Sequence, residues 1–173
     1  MTVVGARLTA VPGISQGRRT NADFEVLFAA LYPRLARYAY RLVRSEEAAR
    51  DIAQEALART WTRWIAVKDP EPYAFLVATN LIRQRWRREP TEARALQVLA
   101  NSGPRFVEAP DLDTRDAVNR LPAALRETVL LHYFADLPIE QVAQVVGRPV
   151  GTVKQRLHTA RGLLATMIEE GRS

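Results

Sequence analysis

From Asn21 to Ile168 the apolar residues of this chain return every three or four positions, and nowhere do they alternate with polar residues as in a half-buried strand. A chain patterned this way has helices as its only regular element. One stretch interrupts the pattern: between Glu89 and Asp111, "EPTEARALQVLANSGPRFVEAPD", three prolines and Gly103 replace any sustained stripe. That composition predicts a linker, with room for a helical turn or two around residues 93–99. The expectation is an all-α protein of two small helical domains, residues 21–88 and 112–168, joined by a flexible linker at 89–111. A mobile tail at 1–20 and a short C-terminal tail at 169–173 flank them.

In the first half, Phe24, Leu27, Phe28, Leu31, Leu35, Tyr38 and Leu42 follow helical spacing, and Pro33 is expected to kink or divide that helix. Ser45 reads as an N-cap, with Glu46 and Glu47 in the first turn where the helix dipole favours them. The second helix carries Ala49, Ile52, Ala53, Ala56, Leu57, Thr60, Trp61 and Trp64 as one apolar stripe. Asp51, Gln54 and Glu55, at i, i+3 and i+4, then form a polar patch opposite the tryptophans, with Arg50 and Arg59 nearby. After a break at "KDPEP", residues 68–72, a third helix runs from about Tyr73 to Arg88 and ends in "RQRWRR". Tyr73, Asn80, Arg83, Gln84 and Arg87 share one of its faces, while Arg85, Trp86 and Arg88 add charge and an aromatic surface. Arginine and aromatic groups of this kind can hold exposed bases and phosphates, and Asn can read a base edge. Trp86 also continues the spacing of Phe75, Thr79 and Ile82, so a core role and a base-stacking role both stand.

The second half reads as three or four short helices. Ala117, Val118 and Leu121 begin its core, "PAALRETVLLHYF" continues it, and Pro138 starts a helix whose Ile139, Val142, Ala143 and Val146 point one way. Gly147 suits a turn, and Val153, Leu157, Ala160, Leu164 and Ile168 form the buried stripe of the last helix. Gly151, Lys154, Gln155, His158, Thr159 and Arg161 are left facing outward. A short helix, a glycine turn and a second helix with hydrogen-bonding residues near its N-terminus is the pattern of a helix-turn-helix, whose second helix enters a DNA major groove. The same pattern also describes an ordinary helical hairpin with a solvated face.

Charge sharpens the choice. Lys and Arg number 25 against 19 Asp and Glu, a net charge of +6, which favours polyanionic partners. There is no cysteine, which excludes disulfides, thiolate zinc sites and cysteine nucleophiles, and only His132 and His158 are available to a histidine-based metal site. No metal and no cofactor are expected. The carboxylates are spread over helix faces and no glycine-rich loop follows a strand, so no catalytic residue is assigned and no small-molecule substrate is expected. "MTVVGARLTAV" is interrupted by Arg7, unlike a signal peptide, and no apolar run is long enough for a bilayer. The reading is a soluble, cytoplasmic, non-enzymatic protein without membrane insertion.

The run "LPIEQVAQVVGRPVGTVKQRLHTAR" closely resembles region 4 of the extracytoplasmic-function group of sigma-70-type initiation factors, with Gly147, Gly151, Thr152, Val153, Lys154, Arg156, Leu157, Ala160 and Arg161 fitting its pattern. "FEVLFAALYPRLARYAYRLVRSEEAARDIAQEALARTWTRW" is similar to region 2 of the same family, including its D-x-x-Q-E core at Asp51, Gln54 and Glu55. The two regions in this order cover about residues 21–88 and 112–168, and the separate regions 1.1 and 3 of larger factors are missing. The resemblance implies a bacterial sigma factor that recruits core RNA polymerase to promoter DNA. It implies that Asp51, Gln54, Glu55 and Arg59 dock on the clamp helices of the largest polymerase subunit, with a further contact to the flap. It places Tyr73, Asn80, Arg83, Gln84, Trp86, Arg87 and Arg88 at the melted minus-10 element, with a flipped base held by the loop at about residues 66–72.

For the minus-35 duplex the resemblance gives Lys154, Gln155, His158 and Thr159 as groove-facing and Arg148, Thr152, Arg156 and Arg161 as nearer the phosphates. Gln155 stands where serine is usual and Thr159 where arginine is common, so the upstream sequence read need not be the family's usual one. An anti-sigma protein that wraps or separates the domains is implied as a further partner. Two other readings compete. A two-domain helix-turn-helix regulator would bind duplex DNA without being a polymerase subunit, and it needs neither "RQRWRR" nor the Asp51/Gln54/Glu55 patch. A DNA-processing enzyme such as a recombinase would need a nucleophile and a carboxylate or arginine constellation that the sequence does not offer.

Overall fold

A computed structural model describes residues 19–89 and 112–171. The expected linker beyond Glu89 and the expected N-terminal tail up to residue 18 lie outside the described residues, as do residues 172–173, whereas residues 169–171 of the expected C-terminal tail continue the last helix. Among the described residues every regular element is helical: α1 (Asn21–Val43), α2 (Glu46–Thr62), α3 (Pro70–Arg88), α4 (Leu112–Arg120), α5 (Ala123–Val129), a π-helical turn (Leu130–Phe134), α6 (Ile139–Val146) and α7 (Val150–Gly171).

The N-terminal half is a three-helix unit with well-marked ends. Thr20 and Asp23 close a capping box on α1: the Asp23 N–H donates to Thr20 Oγ1 at 3.3 Å and the Thr20 N–H donates to Asp23 Oδ2 at 2.7 Å. Arg44 ends α1 in the left-handed region at φ 58° and donates its N–H to Tyr40 O, and Ser45 caps α2 in the next position by accepting from Ala48 N. The α1–α2 corner is therefore only two residues long. Pro33 neither divides nor ends α1, which runs unbroken across it. Pro70 and Pro72, expected in a break, lie in the first turn of α3, where the missing N–H would be unpaired in any case. The break itself falls at residues 63–69.

Ala39, Ala49, Ala53, Ala56, Ala74 and Ala78 are fully buried, so the three helices approach closely and wrap Leu27, Leu31, Leu35, Leu57, Phe75 and Ile82. Burying side chains of the latter kind contributes about 1.5–3 kcal/mol each. Tyr38 is the one large polar-tipped residue at the centre. Its hydroxyl meets Thr79 Oγ1 at 2.9 Å and its ring packs edge-on to Phe75 at 5.7 Å.

The C-terminal half builds its core from Ala117, Val118, Leu121, Val129, Leu130, Leu131, Leu137, Val142, Val145, Val153, Leu157 and Ala160. After α5 one turn widens: the Ala135 N–H reaches back to Leu130 O at 2.9 Å, five residues earlier, which is the π pattern. The chain then reverses through Asp136 at φ 56°, and His132 Nδ1 closes the corner on Leu137 O at 2.8 Å.

The two halves touch. Helix α3 packs on α6, and α1 packs on the π-helical turn. Arg83 Nη2 meets Glu127 Oε2 at 2.8 Å, Arg34 donates to Ala135 O, and the Arg41 guanidinium lies 4.9 Å from the Phe134 ring centre. No local periodicity foretells these contacts, because their partners lie 44 residues apart for Arg83 and 101 for Arg34.

Candidate nucleic-acid and polymerase interface

Helix α7 is placed by the turn before it. Gly147 sits at φ 63°, and its N–H and that of Arg148 both satisfy Ala143 O, so α6 stops and the chain re-enters a helix at Val150. Val153, Leu157 and Ala160 then point into the core, and Lys154, Gln155, His158, Thr159 and Arg161 are exposed on the other side. Arg148 is exposed too, while Thr152 and Arg156 are half-buried along the boundary. Lys154, Gln155, His158 and Thr159 have no hydrogen-bond or ion-pair partner among the described residues, so one surface presents a cation, an amide, an imidazole and a hydroxyl together. Such a surface can donate to and accept from base edges, with guanidinium groups at its margin for phosphates.

Helix α3 is more divided than its sequence face predicts. Asn80, Arg87 and Arg88 are exposed. Tyr73 and Trp86 are partly buried and pack against the core, so the core reading of Trp86 holds at least in part. Gln84 is half-buried, Arg85 pairs with Glu89 at 2.5 Å, and Arg83 faces Glu127 of the other half. The predicted residues therefore do not form one continuous open surface. Asn80, Arg87 and Arg88 are open to a ligand, and Arg83 is engaged.

Beneath them Tyr38 lies in the same buried layer. Burial, and secondarily the charge of Glu127, pushes its hydroxyl well above the usual phenol range, against the opposing pull of the Thr79 hydrogen bond and of Arg83. Burial likewise lowers the guanidinium pKa of Arg41, Arg44 and Arg126.

On α2, Asp51, Gln54, Glu55 and Arg59 are all exposed, and Glu55 accepts from Arg59 Nε at 2.7 Å. One expectation fails here. Trp61 is not part of the buried stripe opposite this patch but is 42% exposed, and it lines the same groove as Gln54, a cleft of about 390 Å³. Two helical turns separate Gln54 from Trp61, so the two lie along one edge of α2. Phe24 and Phe28 of α1 form the opposite wall, with Phe24 4.7 Å from Trp61 and the Phe28 ring stacked on Tyr32 at 5.6 Å. The polar patch thus borders an aromatic cleft. Phe28 is exposed and Phe24 half-buried although both share the spacing of the buried Leu27, Leu31 and Leu35.

The loop between α2 and α3 is held by a residue that was expected to belong to a mobile tail. Arg19 donates from Nη1 to Trp64 O at 2.7 Å and to Val67 O, and from Nη2 to Lys68 O at 2.6 Å. Trp64 is buried beneath the loop and Ile65, its neighbour, is 87% exposed. No group of His, Asp or Glu suited to a metal occurs among the described residues, and none of their helices is long and apolar enough to cross a membrane.

Residues 27–91 match Sigma-70 region 2 and residues 112–164 match Sigma-70, region 4. The chain is similar to the ECF RNA polymerase sigma factor SigL of Mycobacterium tuberculosis, 33% identical over 165 residues, which cover 84% of this chain and 91% of that protein. It is similar to the RNA polymerase sigma-E factor of Streptomyces coelicolor, 30% identical with 86% and 85% covered, and to the sigma factor SigV of Bacillus subtilis, 27% identical with 74% and 80% covered. Among solved structures the fold is shared with the sigma factor RpoE in its co-crystal with the anti-sigma factor NepR from Bartonella quintana, at a TM-score of 0.67, 23% identity and 85% and 97% coverage. It is also shared with CnrH bound to the cytosolic domain of CnrY, at a TM-score of 0.64, 20% identity and 87% and 90% coverage.

Proposed function

The chain belongs to the extracytoplasmic-function group of the sigma-70 family and is an alternative RNA polymerase sigma factor, and we propose that separate surfaces of it divide the work of promoter-directed initiation. The exposed face of α7, with Lys154, Gln155, His158 and Thr159, reads the minus-35 duplex, and Arg148, Thr152, Arg156 and Arg161 bind its phosphates. Asn80, Arg83, Gln84, Arg87 and Arg88 of α3, with Tyr73 and Trp86 supporting them, hold the melted minus-10 strand together with the loop that follows α2. Asp51, Gln54, Glu55 and Arg59, with the aromatic cleft beside them, dock on the clamp helices of the largest polymerase subunit, and the C-terminal half contacts the flap. Polymerase supplies the chemistry in the cytoplasm, and this chain contributes differential binding without a cofactor or catalytic group of its own.

The observation that carries this reading is the partner-free polar face of α7, displayed immediately after the left-handed turn at Gly147. An anti-sigma protein that occupies the surfaces of both halves is a further proposed partner, in line with the complexes formed by the two structural neighbours.

The test is transcription reconstituted with purified core polymerase on a promoter selected from a random pool. Initiation that depends on this chain is expected, whereas a plain helix-turn-helix regulator would bind the duplex and start no transcript. Asp51→Ala and Glu55→Arg are expected to weaken core binding and leave binding to the upstream duplex unchanged. Unaltered core affinity in both variants would move the docking surface elsewhere.

A further inference from the structure

We propose that Arg19 is a positioning residue for capture of the melted strand: its guanidinium fixes the backbone of residues 64–68 in the shape that the base-holding loop requires. The idea rests on the assignment of that loop to the melted strand, extended from about residues 66–72 to the α2–α3 connection at residues 63–69, and adds to it the residue that sets the loop's geometry. Arg19 lies outside both matched regions, which begin at residues 27 and 112.

The geometry is specific. Three carbonyl oxygens, of Trp64, Val67 and Lys68, converge on one guanidinium, and its Cζ also lies over the Trp64 ring, 4.9 Å from the ring centre. Trp64 in turn donates its indole N–H to Thr20 O at 3.1 Å, so the chain before α1 and the loop after α2 are tied in both directions. Carbonyl dipoles brought together this way repel one another, and they lie just past the C-terminus of α2, where the helix dipole already accumulates negative charge. A planar cation with several donors satisfies all of them at once, which a lysine ammonium on its flexible stem does not do in the same fixed plane.

Inside the loop, Ala66 and Val67 both donate to Arg63 O at 2.9 Å, which curls the backbone so that Trp64 points inward and Ile65 outward. A loop that must receive an unstacked base gains from being shaped before the base arrives, since misplacement by about 1 Å can cost on the order of a hundredfold in rate. Ile65 is then the apolar surface that the loop offers, of the kind that wedges against or covers an unstacked base.

The experiment uses the full chain with core polymerase and four proteins: wild type, Arg19→Ala, Arg19→Lys and Ile65→Ala. Each is given duplex promoters and promoters with a pre-melted bubble, both carrying every base at each melted non-template position. Open-complex formation and base preference are measured beside core affinity and thermal melting. Arg19→Ala is expected to slow opening of the duplex promoter by about tenfold to a hundredfold, to flatten base preference at the positions that Ile65→Ala also affects, and to leave core affinity within about twofold. The pre-melted bubble should restore part of the rate and none of the base preference. Arg19→Lys should keep the charge and lose the same preference, and it serves in place of Arg19→Ala if that variant does not fold. Base preference equal to wild type in the folded Arg19 variants, with Ile65→Ala altering it, would overturn the role of Arg19 and leave the loop assignment standing. Unchanged preference in Ile65→Ala as well as in the Arg19 variants would overturn the assignment of the loop itself and the Arg19 proposal with it.

Discussion

Helices α3 and α7 both carry polar side chains on faces turned away from their own cores, but those faces are left open to different degrees. The buried stripe of α7, at Val153, Leu157 and Ala160, is used up within the C-terminal half, and everything on the far side is open. Helix α3 buries Ala74, Phe75, Ala78 and Ile82 against α1 and α2 and then meets α6 and Glu127 on a second flank. A helix with one neighbouring surface shows its free face in its sequence spacing. A helix with two does not, because part of its polar face is occupied by groups distant in the chain. In this arrangement the face of α7 proposed to read duplex DNA is open, and the face of α3 proposed to hold the melted strand is partly engaged.

The largest expected effect tests whether α7 reads sequence or only charge. Gln155→Ser combined with Thr159→Arg should change the preferred upstream duplex, with discrimination between old and new sites of about 1–3 kcal/mol, or roughly fivefold to 150-fold. Arg148→Ala or Arg161→Ala should weaken binding to all duplexes alike and reduce the slope of log affinity against log salt by about one for each phosphate no longer bound. Selection from a randomised pool for each variant checks both. An unchanged consensus in the double variant would make the α7 face a phosphate surface and erase its contrast with α3.

Next in size is the turn that presents α7. A Cβ added at Gly147 meets nothing within 4 Å, so Gly147→Ala is unhindered by space and strained only by φ 63°. The left-handed conformation should cost about 1–2 kcal/mol, seen as a lower melting temperature, with duplex affinity falling further than stability alone explains if the α6–α7 angle changes. A loss of stability with affinity intact would show that α7 is held by its core and not by its turn.

How much of this could be read from the sequence follows the same division. The cap at Ser45, the turn at Gly147 and the stripe of α7 as far as Ala160 are local signals found where the spacing puts them, while Leu164 and Ile168, expected in the same stripe, are only half-buried. Pro70 and Pro72 misled because a proline's effect depends on its position in the turn, and composition reports only its presence; Pro33, within α1, does not divide that helix. Trp61 misled because periodicity assigns a direction, not a depth: the residue points along the stripe but sits at the rim of the cleft with Phe24 and Phe28. The partners of Arg19, Arg34 and Arg83 left no trace at all, since each is a property of packing between distant segments, and the π-helical turn has no signal in the apolar spacing. The exposed face of α7 was legible residue by residue, and the polar face of α3 only as a set of residue types.

A third expectation concerns the inner side of α3. Tyr38→Phe removes the hydroxyl that meets Thr79 and should cost about 1 kcal/mol. It should also change the response to alkali. The Tyr38 hydroxyl is raised in the folded chain by burial first and by Glu127 second, so above about pH 10 the unfolded chain releases a proton that the folded chain retains. Stability contributed by this group is complete below that pH and is lost as pH rises, and Tyr38→Phe should lose less of it. Chemical denaturation of both proteins at pH 8 and at about pH 10.5 measures the difference. Equal slopes would mean that the Tyr38 site opens to water before the chain unfolds.

The smallest expected effect bears most directly on why α3 and α7 differ. If the Arg83–Glu127 pair competes with nucleic acid for the guanidinium, Glu127→Gln should free Arg83 while keeping a side chain of the same shape. Arg83 is more than a third exposed, so the pair is screened, and the gain should be modest, within the 0.2–1 kcal/mol of exposed ion pairs, or up to about fivefold tighter binding of a single-stranded oligonucleotide. Duplex binding through α7 should not change, because no hydrogen bond or ion pair joins its exposed residues to Glu127, whose polar partner is Arg83. Salt gives the internal control: raising ionic strength weakens the ion pair and the DNA contacts together, so the advantage of Glu127→Gln over wild type should shrink as salt rises. Arg83→Ala should abolish the advantage altogether, since without the guanidinium there is nothing for Glu127 to withhold. An oligonucleotide affinity identical in wild type and Glu127→Gln, measured by anisotropy at low salt, would mean that contact between the halves does not limit the strand-holding face, and that α3 differs from α7 in packing alone.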